Sequence, residues 1–172
     1  IENANGDIHV VGADVAVVTV KSGAEPIGQV PRRADGLRVI ATNNSFNLTE
    51  RANIVSLSHN FGGYGQGGAD FDVTVPRGVS VIVKGGAGGD VAISGVTGDV
   101  EVSLLNGSVK LENVAGGVAV DTMNGEVSAR YAELPAGKTH SFSSMNGQIT
   151  LFVPGAARAT FTLRAQSGSV AT

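Results

Sequence analysis

Histidine and acidic side chains are the residues of this chain that could carry out catalysis or bind a metal ion. The three histidines, His9, His59 and His140, are far apart in sequence and show no spacing of the His-x-x-x-His type. Isolated histidines could form a metal or catalytic site only if the fold brought them together. The Gly-x-Ser-x-Gly motif of an activated serine is absent. We therefore expect a non-catalytic protein without a cofactor.

Two acidic patterns suggest other chemistry. Gly85 to Asp90 resembles one calcium-binding nonapeptide, so Asp90 and Asp99 are calcium candidates, although a calcium ion needs about six or more oxygen ligands. Asp90 and Glu126 share a repeat position and would be about 9.6 Å apart at strand spacing. This is close to the separation of about 6.5 to 9.5 Å in inverting glycosidases. These acidic residues therefore have three interpretations. They are calcium ligands, catalytic groups of a polysaccharide hydrolase, or solvent-exposed charges that keep a turn soluble.

Asp90, Asp99 and Glu126 belong to a repeated motif of glycine, a polar residue, and then valine or isoleucine. Gly89, Gly107 and Gly125 are separated by eighteen residues each time, and Gly98 to Gly116 repeats the interval. Between the turns, apolar and polar residues alternate, which directs one set to a core and the other to solvent. The pattern predicts an all-β, single-stranded β-solenoid with rungs of about 18 to 22 residues and two short strands per rung.

Glycine and asparagine are expected to form the corners of the rungs. Glycine adopts the positive φ of a sharp corner without steric cost, and asparagine does so at little cost. A plain hairpin turn is the local alternative for each Asn-Gly pair. The repeat interval also predicts that Asn106 stacks over Asn124, and Leu105 over Met123, about 4.8 Å apart. The predicted corner residues are Asn5, Gly6, Gly89, Gly98, Asn106, Gly107, Gly117, Asn124, Gly125, Asn146, Gly147 and Gly168.

The repeats are not equally regular along the chain. Residues 69–172 carry the regular solenoid repeats, whereas residues 1–68 form a less regular N-terminal β part with a glycine-rich loop from Phe61 to Gly68. The 172 residues suffice to bury a core, and we expect one continuous domain. Essentially no helix is expected, because no segment shows a sustained helical stripe.

Composition argues against several classes of partner and site. A net charge of −3 with scattered lysines and arginines provides no basic patch for nucleic acid or an anionic membrane. No apolar run approaches the roughly eighteen residues that span a bilayer. The absence of cysteine excludes disulfides and thiolate metal sites. A start at Ile1 rather than methionine is consistent with a removed signal peptide or with trimming.

Taken together, the turn motifs resemble a known family. Glu2 to Ile8 reads Glu-Asn-Ala-Asn-Gly-Asp-Ile, Val75 to Gly78 reads Val-Pro-Arg-Gly, and Gly-Asp-Val and Asn-Gly-x-Val turns follow before a closing Val-Pro. This order resembles the bacterial putative-adhesin family of β-strand-repeat domains of unknown function. The resemblance implies an exported solenoid of the bacterial envelope, located outside the cell, on its surface or in the periplasm. It carries over no catalytic residue.

The ends of the repeat array suggest the chain itself as a partner. Ile8 and Val10 belong to the first repeat, and Ser169 and Val170 belong to the last. An end rung without a polar cap leaves backbone groups unpaired and part of the core open. End-to-end addition of complementary rungs would therefore produce a homo-oligomer or a surface filament.

A second hypothesis is a module that binds a surface glycan or another protein. Its contact residues would be the aromatic side chains Phe61, Tyr64 and Tyr131, which are predicted to lie in or beside loops. Loops on a rigid scaffold commonly carry binding residues, and exposed aromatic side chains can mark a contact.

Overall fold

The computed structural model describes residues 1–22, 46–51, 54–59, 69–131, 133–134, 137–155 and 160–171. In these ranges every regular element is a β-strand, and no helix is present that could cross a membrane. In chain order the strands are β1 Glu2–Asn5, β2 Ile8–Ala13, β3 Thr19–Ser22, β4 Phe46–Arg51, β5 Ile54–His59, β6 Phe71–Pro76, β7 Val81–Gly88, β8 Val91–Ser94, β9 Val100–Asn106, β10 Val109–Val114, β11 Val118–Asn124, β12 Val127–Tyr131, β13 Thr139–Asn146, β14 Ile149–Phe152, β15 Thr160–Ser167 and β16 Val170–Ala171.

The strands form two eight-stranded sheets. Sheet A has the order β15-β13-β11-β9-β7-β1-β5-β4, and sheet B has the order β16-β14-β12-β10-β8-β2-β6-β3. One strand of sheet A and the next strand of sheet B make one rung, as in β9 and β10. Pairing is parallel except where β4 joins β5 and β3 joins β6. The predicted all-β solenoid is therefore confirmed.

Alternating side chains fill the space between the two sheets. In β9, Val100, Val102 and Leu104 are buried, whereas Glu101 and Ser103 are exposed. The β-branched residues that dominate these positions favour extended backbone, and each fully buried one contributes about 1.5 to 3 kcal/mol. The inward side chains of successive rungs form one continuous core.

The N-terminal rung lies inside the stack. Strand β1 pairs with β7 on one side and β5 on the other, and β2 pairs likewise with β8 and β6. Residues 77–80 connect β6 to β7 and span the N-terminal rung. The rung of β5 and β6 and the rung of β7 and β8 are thus consecutive in the chain, but the first thirteen residues lie between them in the stack.

A column of glycines forms the corner at which the chain leaves sheet A for sheet B. Gly107 has a φ of +132°, and a Cβ atom at this position would collide with the carbonyl oxygen of Gly89 in the adjacent rung. Positive φ is costly for residues that carry a Cβ atom. Both the backbone angle and the close approach of the rungs therefore require glycine. Among the predicted corner glycines, positive φ occurs at Gly6, Gly89, Gly107, Gly125 and Gly168, and not at Gly98, Gly117 or Gly147.

Candidate functional site

The acidic residues of the glycine corner hold adjacent rungs together. Asp70 Oδ1 accepts a hydrogen bond from the backbone N–H of Asp7 at 2.9 Å. Asp7 Oδ1 accepts one from the N–H of Asp90 at 2.8 Å, and Asp90 Oδ1 accepts one from the N–H of Ser108 at 2.8 Å. Hydrogen bonds to a carboxylate are stronger than those between neutral groups. These aspartates therefore stabilise the stacking of four successive rungs.

The other acidic candidates occupy two different corners. Glu126 lies in the same column as Asp90, two rungs away, as the strand register requires. Asp99 lies at the other corner, where its Oδ1 accepts hydrogen bonds from Lys138 Nζ at 2.7 Å and from the N–H of Gly117 at 2.8 Å. Lys138 first, and then Gly117, lower the pKa of Asp99. Among the residues that the structure describes, no group of three histidine or acidic side chains could hold a metal ion.

An asparagine ladder runs along the corner beside the glycine column. Asn124 Nδ2 donates to Asn106 Oδ1 at 2.7 Å, and Asn146 Nδ2 donates to Asn124 Oδ1 at 2.8 Å. The register pairs Asn106, Asn124 and Asn146 directly, which confirms the predicted stacking of Asn106 over Asn124. Each amide thus bonds to the equivalent amide of the adjacent rung.

An apolar stripe lies beside this ladder on the outer surface of sheet A. It consists of Leu105, Met123 and Met145, whose side chains are 44%, 41% and 43% exposed. The three residues line a shallow depression together with Asp121 and Arg164. The repeat interval predicted that Leu105 stacks over Met123, and the eighteen-residue register confirms it.

The three histidines lie in different strands. His9 is on the outer face of β2, where its Nδ1 atom is 3.3 Å from Asp72 Oδ1. His59 ends β5. His140 lies in β13 and is fully buried. The sequence provided no spacing that would distinguish His140 from the other two.

His140 forms a buried cluster with Tyr131 and Phe161. Tyr131 Oη is 2.9 Å from His140 Nδ1, and the His140 ring stacks on Phe161 with a centroid distance of 5.1 Å. Burial raises the pKa of Tyr131 well above its usual value. Burial, and secondarily the charge of Lys138, lowers the pKa of His140. Tyr131 ends β12 and is 5% exposed, so this predicted loop contact residue is not displayed to solvent.

The last rung, formed by β15 and β16, is less enclosed than the rung of β13 and β14 that precedes it. In the described chain β15 pairs only with β13, and β16 pairs only with β14. Phe161, Leu163 and Ala165 face inward but are only half-buried. In the sequence these three residues alternate with polar residues at a period of two, which indicates that they face the core.

The predicted end residues are placed differently from one another. Ser169 is exposed beside β16, and Val170 belongs to β16 and pairs with Ile149. Ile8 and Val10 are each 1% exposed and lie between β6 and β8. They therefore do not lie at an end of the solenoid, because the N-terminal rung is enclosed. Phe61 and Tyr64 fall outside the described residues.

Comparisons with known proteins bear on the family. A solved structure of a putative cell adhesion protein from Clostridium sporogenes is similar over 99% of this chain and 88% of its own, with 8% sequence identity and a TM-score of 0.42. The comparison with curated proteins yields no match. The model of the Toastrack DUF4097 family matches residues 1–172, which confirms the resemblance seen in the turn motifs. The chain therefore belongs to the Toastrack DUF4097 family.

Proposed function

We propose that this Toastrack chain is a non-catalytic, adhesin-like structural protein that is exported to the cell envelope and associates with further copies of itself. The observation that supports the proposal is the last rung. Its strands pair on one side only in the described chain, and its inward-facing Phe161, Leu163 and Ala165 are half-buried.

The backbone of this rung supplies one part of the interface. A strand at the edge of a sheet presents a row of N–H and C=O groups that can pair with another strand. Strand β15, Thr160–Ser167, is eight residues long, so it offers an extended edge for strand addition. Addition of a strand from another copy would satisfy these backbone groups.

The inward side chains supply the other part. Phe142, in the adjacent rung, is fully buried, whereas Leu163 at the matching position of β15 is half-buried. Covering Leu163 and Phe161 would remove apolar surface from water, which favours association by about 25 cal/mol per Å². The same contact would thus complete both the sheet and the core.

The two ends of the solenoid are not equivalent, which limits the possible assemblies. At the end opposite β15, the outermost of the described strands, β4 and β3, run antiparallel to their neighbours. If β15 meets β15 of a second copy, the contact is self-complementary and closes a dimer. If β15 meets the opposite end, the contact repeats and builds a filament.

Sedimentation velocity across a concentration series, with negative-stain electron microscopy of the same samples, tests the proposal. We expect dimers or uniform fibres in the native chain and their loss in Leu163→Glu, which places a charge on the inward face of β15. Thr162→Glu is the matched control, because Thr162 is exposed on the outer face of the same strand. A native chain that remains monomeric at every concentration would contradict self-association.

Binding to a surface glycan or protein through loops would involve different residues. Phe61 and Tyr64 stay predicted contact residues for a surface glycan or protein. A glycan array probed with the native chain and with Tyr64→Ala would test them, and equal binding by the two proteins would exclude a role for Tyr64.

A further inference from the structure

We infer that His140 makes the docking of the last rung sensitive to acid, so that proton uptake at this buried side chain releases β15 from the core. This acid response is a property of a single molecule and does not require self-association.

The hydrogen bonding of His140 favours the neutral imidazole over the protonated one. Its Nδ1 atom is paired with Tyr131 Oη at 2.9 Å, whereas its buried Nε2 atom has no hydrogen-bond partner among the described residues. A neutral imidazole has one donor and one acceptor nitrogen, but the protonated ring has two donors and a positive charge. Protonation in place would therefore leave a charged Nε2–H group in the core without an acceptor, which is strongly unfavourable.

Among the residues that the structure describes, the contacts of the ring provide no compensating negative charge. From β12 the ring contacts the Tyr131 hydroxyl, whose pKa is raised by burial so that it stays neutral. From β15 it contacts the apolar ring of Phe161. The charged group that acts on it is the cationic Lys138, which further lowers the pKa of His140. Asp99 is bonded to Lys138 Nζ at 2.7 Å, so this carboxylate is already engaged.

Strand β15, which covers His140, is paired on one side only among the described strands, so it can move while the inner rungs stay paired. Val100, Val118, His140 and Phe161 occupy one inward column in β9, β11, β13 and β15. Val100 and Val118 are each enclosed by a rung on both sides, whereas Phe161 belongs to the half-buried last rung. Displacement of Phe161 would expose the stacked face of His140 to water while the inner rungs keep their pairing.

The direction of the pH dependence follows from the two pKa values. Exposed histidine in the released state has its usual pKa of about 6.5, and the docked state has a lower pKa. Released chains therefore bind more protons than docked chains between these two values. The contribution of neutral His140 to the docking of β15 is complete above about pH 6.5 and is lost as the pH falls towards the lower pKa of the docked state.

Amide hydrogen exchange on the dilute native monomer tests the inference. After correction for the intrinsic pH dependence of exchange, the released fraction of β15 should rise by up to about tenfold per pH unit below 6.5. Amides of β9 should show no such change. His140→Phe keeps an aromatic ring that does not titrate, so its β15 exchange should become independent of pH. His9→Gln, which removes the exposed histidine of β2, should behave like the native chain.

A second measurement keeps the inference testable if His140→Phe does not fold. Imidazole nuclear magnetic resonance of the native chain reports the protonation of His140 directly, with His9→Gln and His59→Gln to assign the signals of the other two histidines. Titration of His140 together with the loss of β15 protection would support the inference. Protection of β15 that is unchanged between pH 7.5 and 5, or that falls equally in His140→Phe, would overturn it.

Discussion

The carboxylate of Asp7 accepts a hydrogen bond from the backbone N–H of Asp90 at 2.8 Å, although 83 positions separate the two residues. The N–H of Asp7 in turn donates to Asp70 Oδ1 at 2.9 Å. One residue of the N-terminal rung is thus bonded to both of the rungs that enclose it. This rung completes the sheets between β5–β6 and β7–β8, and its removal would separate them.

Truncation at the two termini should therefore have unequal effects. Deletion of residues 1–13 removes an enclosed rung and should abolish the cooperative thermal transition, because β5, β6, β7 and β8 each lose a neighbour. Deletion of residues 160–172 removes a rung that is paired on one side only in the described chain, and it should leave a cooperative transition at a lower Tm. Circular dichroism melting curves distinguish the two. A chain without residues 1–13 that melts like the native chain would refute this role.

The glycine column should tolerate no side chain. Gly107→Ala should lower the free energy of unfolding by at least about 2 kcal/mol, because it combines a positive φ with a collision against the carbonyl of Gly89. Gly78→Ala is the control, since nothing lies within 4 Å of a Cβ atom there. Urea denaturation measures both variants. Equal stabilities of the two would show that the rungs can separate to admit a methyl group.

The asparagine ladder should contribute measurably despite its exposure. Asn124→Ala removes the bonds to Asn106 and Asn146, and we expect a loss of about 1 kcal/mol in the free energy of unfolding. The double variant Asn124→Ala with Asn146→Ala should lose less than the sum of the single losses, because one bond is shared. Gln148→Ala serves as a control at an exposed position outside the ladder. If the loss in the double variant equals the sum of the two single losses, Asn124 and Asn146 do not interact, which would contradict the ladder.

The pair formed by Asp99 and Lys138 should set the acid titration at the other corner. Lys138→Met should raise the pKa of Asp99 towards its usual value of 3.8, because the lysine is the main cause of the lowered pKa. The stabilising contribution of the paired carboxylate is complete above that usual value and is lost as the pH falls through the lowered pKa.

Carboxyl nuclear magnetic resonance titration measures the pKa of Asp99. Lys110→Met, which removes the partner of Glu112 at 3.0 Å, is the matched control and should leave Asp99 unchanged. An Asp99 pKa that does not move in Lys138→Met would assign the shift to the Gly117 N–H instead.

Features that depend on neighbouring residues in the chain could be derived from the sequence. Alternation of apolar and polar residues determined the strands and their buried faces, as in Val100 and Val102. Glycine and asparagine at constant intervals determined the corners and the stacking of Asn106 over Asn124. These predictions succeed because backbone sterics and the period of a strand act locally, and a repeat places equivalent residues in register.

Relations between distant segments were decided by the tertiary structure. The motif Asn5-Gly6-Asp7-Ile8 is compatible with any rung of the stack. The sequence therefore does not indicate that Gly6 lies between Ala69 and Gly89. The sequence likewise did not indicate whether Tyr131 and His140 are exposed or buried, because a polar aromatic residue can lie in a loop or can be buried with a hydrogen-bond partner. Burial of this pair depends on Phe161, contributed by the next rung. Local chemistry thus specifies the rung, whereas the order of rungs and the burial of polar pairs depend on contacts that exist only after stacking.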